Sequence, residues 1–151
     1  MKLKNTRPIT LLETARKCLV KILNNRLSTI LADNRVLQGG NFASLPGSSC
    51  SDPIHTLDSI IQHSLNSNSP LWILSQDISK AFDSMDLNML NLAMKRIKLP
   101  ELFRKLILNL FTNRTNQILT CHGPTNSYKV LVGVDQGEII SPLLWVIYLD
   151  P

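Results

Sequence analysis

Three aspartates, Asp77, Asp83 and Asp86, fall within ten residues of the stretch "WILSQDISKAFDSMD" at positions 72–86. Carboxylate oxygens are hard donors for hard divalent cations, so such a cluster at the end of an apolar run is a candidate metal-binding turn. The same residues suit a plainer arrangement, because aspartate is common at strand ends, in turns and as a helix cap. Asp77 would then close a buried strand, Asp83 would form a turn and Asp86 would cap the next helix. Residue type and spacing leave both arrangements open. Zinc is disfavoured, since Cys121 and His122 are adjacent and neither His55 nor His63 has a thiol at ligand spacing.

The elements that must position these residues follow from apolar periodicity. "RPITLL" (7–12) reads as a short strand. From about Glu13 to about Leu31, Ala15, Cys18, Leu19, Ile22, Leu23, Leu27, Ile30 and Leu31 repeat at helical spacing, with Lys17, Lys21 and Arg26 on much of the other side. "QGGNFASLPGSSCS" has the composition of a loop. Asp52-Pro53 then predicts a cap and first-turn pair, followed by an apolar stripe of Ile54, Leu57, Ile61 and Leu65. "NSNSP" ends that helix before "LWIL", an apolar run suited to a buried strand. Asp86 predicts the cap of a helix with Leu90, Ala93, Met94 and Ile97 on one side. Pro100 both ends it and opens another helix, whose buried side would be Leu102, Phe103, Leu106, Ile107, Leu110 and Phe111. "NQILTC", "HGPTNS" and "YKVLV" predict a hairpin, and Ser141-Pro142 starts a final apolar helix. Mixed elements without a repeated β-α period place the chain in the α+β class.

A chain of 151 residues, 44% hydrophobic, can bury one core. Its net charge of +5 is concentrated at the start, where Lys2, Lys4, Arg7, Arg16, Lys17, Lys21 and Arg26 face only Glu13. That predicts an anionic partner, nucleic acid being the commonest, against the simpler alternative of a solvated helix face. Three widely spaced cysteines without a C-x-x-C pair predict a reducing, intracellular setting. The apolar run "PLLWVIYL" is far short of the roughly 20 residues a membrane span needs, so no membrane partner is expected.

The apolar run, Asp77, two further residues and Lys80-Ala81-Phe82-Asp83 together resemble the first catalytic motif of reverse transcriptases, in the form used by non-LTR retrotransposons and group II introns. "RPITLLETARKCLVKILNNRL" is similar to the N-terminal fingers motif of the same enzymes. "LQGGNFASLPGSSCSDPIHTL" resembles their next motif, with one extra residue between Gly40 and Phe42, and "VGVDQGEIISPLLWVIYLD" resembles the Gly-x-x-Gln-Gly and Ser-Pro motif. The four occur in the family order and cover nearly the whole chain.

The resemblance implies a right-hand polymerase fold in which residues 1–151 form the fingers and the first part of the palm, helix-rich with a small incomplete antiparallel sheet. It implies RNA-templated addition of deoxynucleotides to a DNA primer, with Mg²⁺ as cofactor and RNA template, primer and deoxynucleoside triphosphates as partners. Asp77 would supply a metal carboxylate and the backbone of Ile78 a carbonyl. Phe82, beside Ala81, would be the steric gate against a ribose 2′-hydroxyl. Gln136 and Gly137 would lie beside the incoming nucleotide and templating base, Arg7 would reach the triphosphate, and Lys17 and Lys21 would meet template phosphates. Ser141 would cap its helix.

Two departures stand out. Asp135 occupies a place where many relatives carry a basic residue, and Glu138 one where they carry a small residue, so two negative charges would approach a polyanionic substrate. The family completes its metal site with an aromatic-x-Asp-Asp hairpin, and these 151 residues contain no Asp-Asp pair. The expectation is therefore a part of a reverse transcriptase that does not polymerise alone and whose apolar strand at 71–77 lacks neighbours, giving poor solubility or a borrowed partner. The alternative is a non-catalytic nucleic-acid-binding remnant that uses the basic N-terminal helix.

Overall fold

The computed structural model describes residues 9–38 and 40–151, so the expectation for Arg7 lies outside the described residues, as do the first two residues of "RPITLL". Residues 9–12 form no regular element, but the Thr10 N–H donates to the Gln136 carbonyl at 2.8 Å. Helix α1 (Thr14–Asp33) turns Val20, Leu27 and Leu31 into the core, spaced by seven and four residues. Leu19, Ile22 and Ile30, expected on the buried side, are exposed instead. The helix is apolar on two faces, and the core takes one of them.

Helix α2 (Ser51–Ser67) starts before the expected cap: Cys50 occupies the cap position and Asp52 lies in the first turn, where a carboxylate favours the positive end of the helix dipole. Asn68 ends it in the left-handed conformation, φ 48°. None of its residues is buried, and Ile54, Leu57, Ile60 and Leu65 face outward. The segment after it is no strand. Residues 71–78 carry no regular structure, with Trp72 93% and Leu74 92% exposed. A strand needs a ladder partner, and both described ladders are closed within residues 114–130.

Helices α3 (Leu87–Arg96) and α4 (Glu101–Asn109) follow the expected boundaries. The Asp86 carboxylate accepts from the Asn88 and Met89 N–H groups at 2.8 and 2.9 Å, satisfying two of the donors a helix start leaves open. Pro100 is the cap residue of α4. Leu90 and Met94 of α3 and Ile107 of α4 are buried with Phe111, whereas Leu102 and Leu106 are exposed. Strands β1 (Arg114–Asn116) and β4 (Tyr128–Val130) pair antiparallel, Arg114 opposite Val130. Within them β2 (Leu119–Thr120) pairs with β3 (Gly123–Pro124), so the hairpin turns at Cys121-His122, earlier than expected.

Helix α5 (Ser141–Leu149) packs against α3, burying Leu143, Leu144 and Ile147. Each such side chain contributes on the order of 2 kcal/mol by leaving water. The result is a mostly helical α+β fold with two small antiparallel ladders. Among the described residues no helix is long and apolar enough to cross a membrane.

Candidate functional site

Three segments meet where α5 begins. The Lys80-Ala81-Phe82-Asp83 turn is closed by the Ser84 N–H donating to the Lys80 carbonyl at 2.9 Å, with Lys80 at φ 53°. The loop at 133–134 is hydrogen-bonded onto this turn. Gly133 N–H donates to the Met85 carbonyl at 3.0 Å and Val134 N–H to the Phe82 carbonyl at 2.9 Å. Gly133, at φ 85°, has no room for a side chain, since a Cβ would lie 2.7 Å from the carbonyl oxygens of Phe82 and Asp83.

Residues 135–138 form a β-turn in which the Glu138 N–H donates to the Asp135 carbonyl at 3.2 Å. Gln136 and Gly137 are its central residues, and Gly137 takes a positive φ, 112°, a conformation that favours glycine. The close approach that Gly137 permits is to the Thr10 backbone, whose carbonyl would lie 2.9 Å from an added Cβ. The Gln136 amide donates through Nε2 to Asp83 Oδ2 at 3.0 Å, joining two of the sequence motifs directly. Ser141 is the first helical residue and not the cap. Its hydroxyl donates to the Asp135 carbonyl at 2.9 Å, tying the turn to α5.

Asp135 and Glu138 do not point toward solvent as unpaired negative charges. Their side chains are 4% and 0% exposed. Arg16 Nε donates to Glu138 Oε2 at 2.7 Å and its Nη2 to Asp135 Oδ2 at 3.4 Å. Arg114 Nη1 donates to Asp135 Oδ1 at 2.5 Å, and its other nitrogens donate to the carbonyls of Phe111 and Gly133 at 2.8 and 2.6 Å. Buried carboxylates persist only when paired in this way. Nothing in the local sequence singles out Arg114, whereas Arg16, counted in the basic cluster expected to meet an anionic partner, is turned inward onto these carboxylates: it lies four residues before Val20, in line with Leu23, Leu27 and Leu31 on the inward face of α1.

The remaining predicted residues are more dispersed. Asp77 and Ile78 are exposed, and the carboxylate of Asp77 forms no ion pair among the described residues. The Phe82 ring is half-buried and packs edge-on against Trp145 of α5, centroids 6.2 Å apart, with Trp145 stacked on Tyr148. Lys17 is half-buried and Lys21 exposed on α1. Asp77 and the adjacent carbonyl of Ile78 are hard oxygen donors of the kind Mg²⁺ takes. Among the described residues, however, no group of three or more His, Cys, Asp or Glu could hold a metal ion. These residues do not by themselves fit a Mg²⁺ site.

The chain belongs to the reverse transcriptase (RNA-dependent DNA polymerase) family, whose pattern matches residues 2–151. It is 25% identical over 146 residues to the probable RNA-directed DNA polymerase from transposon BS of Drosophila melanogaster, covering 94% of this chain and 16% of that protein. It is likewise 25% identical over 144 residues to the retrovirus-related Pol polyprotein from type-1 retrotransposable element R2 of Nasonia vitripennis, covering 95% of this chain and 14% of that one. The chain thus corresponds to a small part of retrotransposon proteins several times its length. No solved structure matches it.

Proposed function

We propose that these residues form the nucleotide- and template-facing portion of an RNA-directed DNA polymerase from a non-LTR retrotransposon-like element, and that they do not polymerise DNA on their own. The observation that carries this reading is the contact between Gln136 and Asp83, which joins the Lys80–Asp83 turn to the Gln-Gly turn in a chain matched by the family from end to end. In this reading the partners are RNA template, DNA primer and deoxynucleoside triphosphates. Gln136 and Gly137 lie beside the incoming base, Phe82 with Ala81 forms the wall against a 2′-hydroxyl, and Lys17 and Lys21 hold template phosphates. Arg7 reaches the triphosphate. Asp77 and the Ile78 carbonyl are two donors of a metal site that needs further ligands, so no chemical step is assigned to this chain alone.

Primer extension in Mg²⁺ by the 151-residue chain tests the second half of the proposal. The expected result is none, and extension abolished by Asp77→Asn would overturn it. The first half predicts salt-sensitive binding of an RNA-template/DNA-primer duplex that a complementary deoxynucleotide tightens. Lys17→Ala/Lys21→Ala should weaken the binding and flatten its log–log salt slope by roughly one to two.

A second reading, a non-catalytic nucleic-acid-binding remnant, is favoured by the exposure of Asp77, which belongs to no group of three or more potential metal ligands among the described residues. It predicts the same loss in the lysine variants, with no tightening by nucleotide and no effect of Asp77→Ala.

A further inference from the structure

The Gln136–Gly137 turn is flanked by carboxylates at both corners, Asp135 before it and Glu138 after it, and one guanidinium reaches both. Arg16 Nε bonds Glu138 at 2.7 Å, while Nη2 bonds Asp135 at 3.4 Å and the Leu110 carbonyl at 3.1 Å. A planar fork can span two acceptors in this way, whereas the single ammonium of lysine cannot reproduce the geometry. Arg114 holds the other Asp135 oxygen, and Thr10 holds the Gln136 carbonyl from the outside. We propose that Arg16 is a positioning residue for the Gln136–Gly137 turn: its guanidinium bridges the two corner carboxylates and fixes the turn against α1. It touches no substrate and acts through Asp135 and Glu138. The opposite charges at these places, where a basic and a small residue were the family expectation, are then a matched set with Arg16 and Arg114. The functional consequence rests on the reading of Gln136 and Gly137 as the nucleotide-facing turn; the clamp itself does not.

The test compares the wild-type chain with Arg16→Lys and with the double variant Arg16→Met/Glu138→Met. The Lys variant keeps the charge and loses the fork; the double variant replaces a buried pair by apolar side chains, a change that commonly preserves stability. Amide hydrogen exchange without ligand is read at Thr10 and Glu138, whose N–H groups bond the turn, and at Leu90 in the core. In both variants exchange at Thr10 and Glu138 should quicken about tenfold, with Leu90 unchanged, as expected for a local opening that has lost a charge-assisted bond. Tightening of duplex binding by a complementary deoxynucleotide should be lost, while nucleotide-free affinity stays. Wild-type exchange at Thr10 and Glu138 in either variant would overturn the proposal. Acceleration at Leu90 equal to that at the turn would also overturn it, since Arg16 would then merely support the fold. If exchange quickens as expected but nucleotide never tightens wild-type binding, the clamp stands and the polymerase reading fails.

Discussion

Helices α2 and α3 carry comparable apolar stripes and meet opposite fates. In α3, Leu90 and Met94 are wholly buried between α4 and α5, and the preceding cap and following basic residues complete both ends. In α2, none of the residues is buried, and the apolar stretch that follows it leaves Trp72 and Leu74 almost entirely in water. The contrast extends to the polar groups. Around α5 each charged group of the Gln-Gly turn has a partner from a distant part of the chain, and no buried side-chain polar atom among the described residues is left without one. An apolar stripe therefore states a demand for a covering surface. Whether these residues meet that demand depends on what else the chain brings to the place.

The comparison can be broken hardest at Arg114, whose side chain is 8% exposed beside Asp135. Arg114→Ala should cost about 3–5 kcal/mol, because it strips a buried carboxylate of its shorter ion pair, and chemical denaturation measures the loss directly. Truncating matched leucines sharpens the contrast. Leu90→Ala should lose about 2–5 kcal/mol, while Leu65→Ala, at an exposed position of α2, should stay within about 0.5 kcal/mol of the parent. Equal losses at the two sites would mean that α2 is packed in solution. Asp86→Ala should cost about 0.5–2 kcal/mol by removing the cap of α3. Trp72→Ser should leave the unfolding midpoint unchanged and raise the solubility limit, since it breaks an exposed apolar run without touching the core. The smallest effect belongs to Glu101, whose carboxyl is held below the usual carboxylate range by the hydrogen bond from Lys105 and by its charge. Such a group favours the folded state above its unfolded pKa and loses that contribution as acid protonates it. The pair is exposed, so Lys105→Ala should give an acid-unfolding profile that superimposes on the parent's.

Much of this was legible in the amino-acid order. The motif-bearing turns, the cap at Asp86, the break at Pro100 and a hairpin within residues 116–132 follow from local chemistry, because caps and prolines act within one helical turn of themselves. The inward face of α1 does not follow from periodicity, because that helix offers apolar residues on two sides and only one of them finds a partner. The strand expected at 71–77 is absent for a related reason: a ladder belongs to two segments, and apolar character in one of them is half of the requirement. The sequence alone leaves Asp135 and Glu138 as charges facing substrate, because the partners of Asp135, Arg16 and Arg114, lie 119 and 21 residues from it along the chain.

Local order thus specified which residues cap, turn and break, and through its motifs the family of the chain. Pairing across the fold settled the rest: which helix faces are covered, that the corner carboxylates of the Gln136–Gly137 turn are neutralised by arginines, and that Gly137 makes room for the Thr10 backbone. The physical reason is range. Capping and turn energies arise between neighbours in sequence, whereas burial and ion pairing depend on surfaces that become adjacent only when distant segments pack.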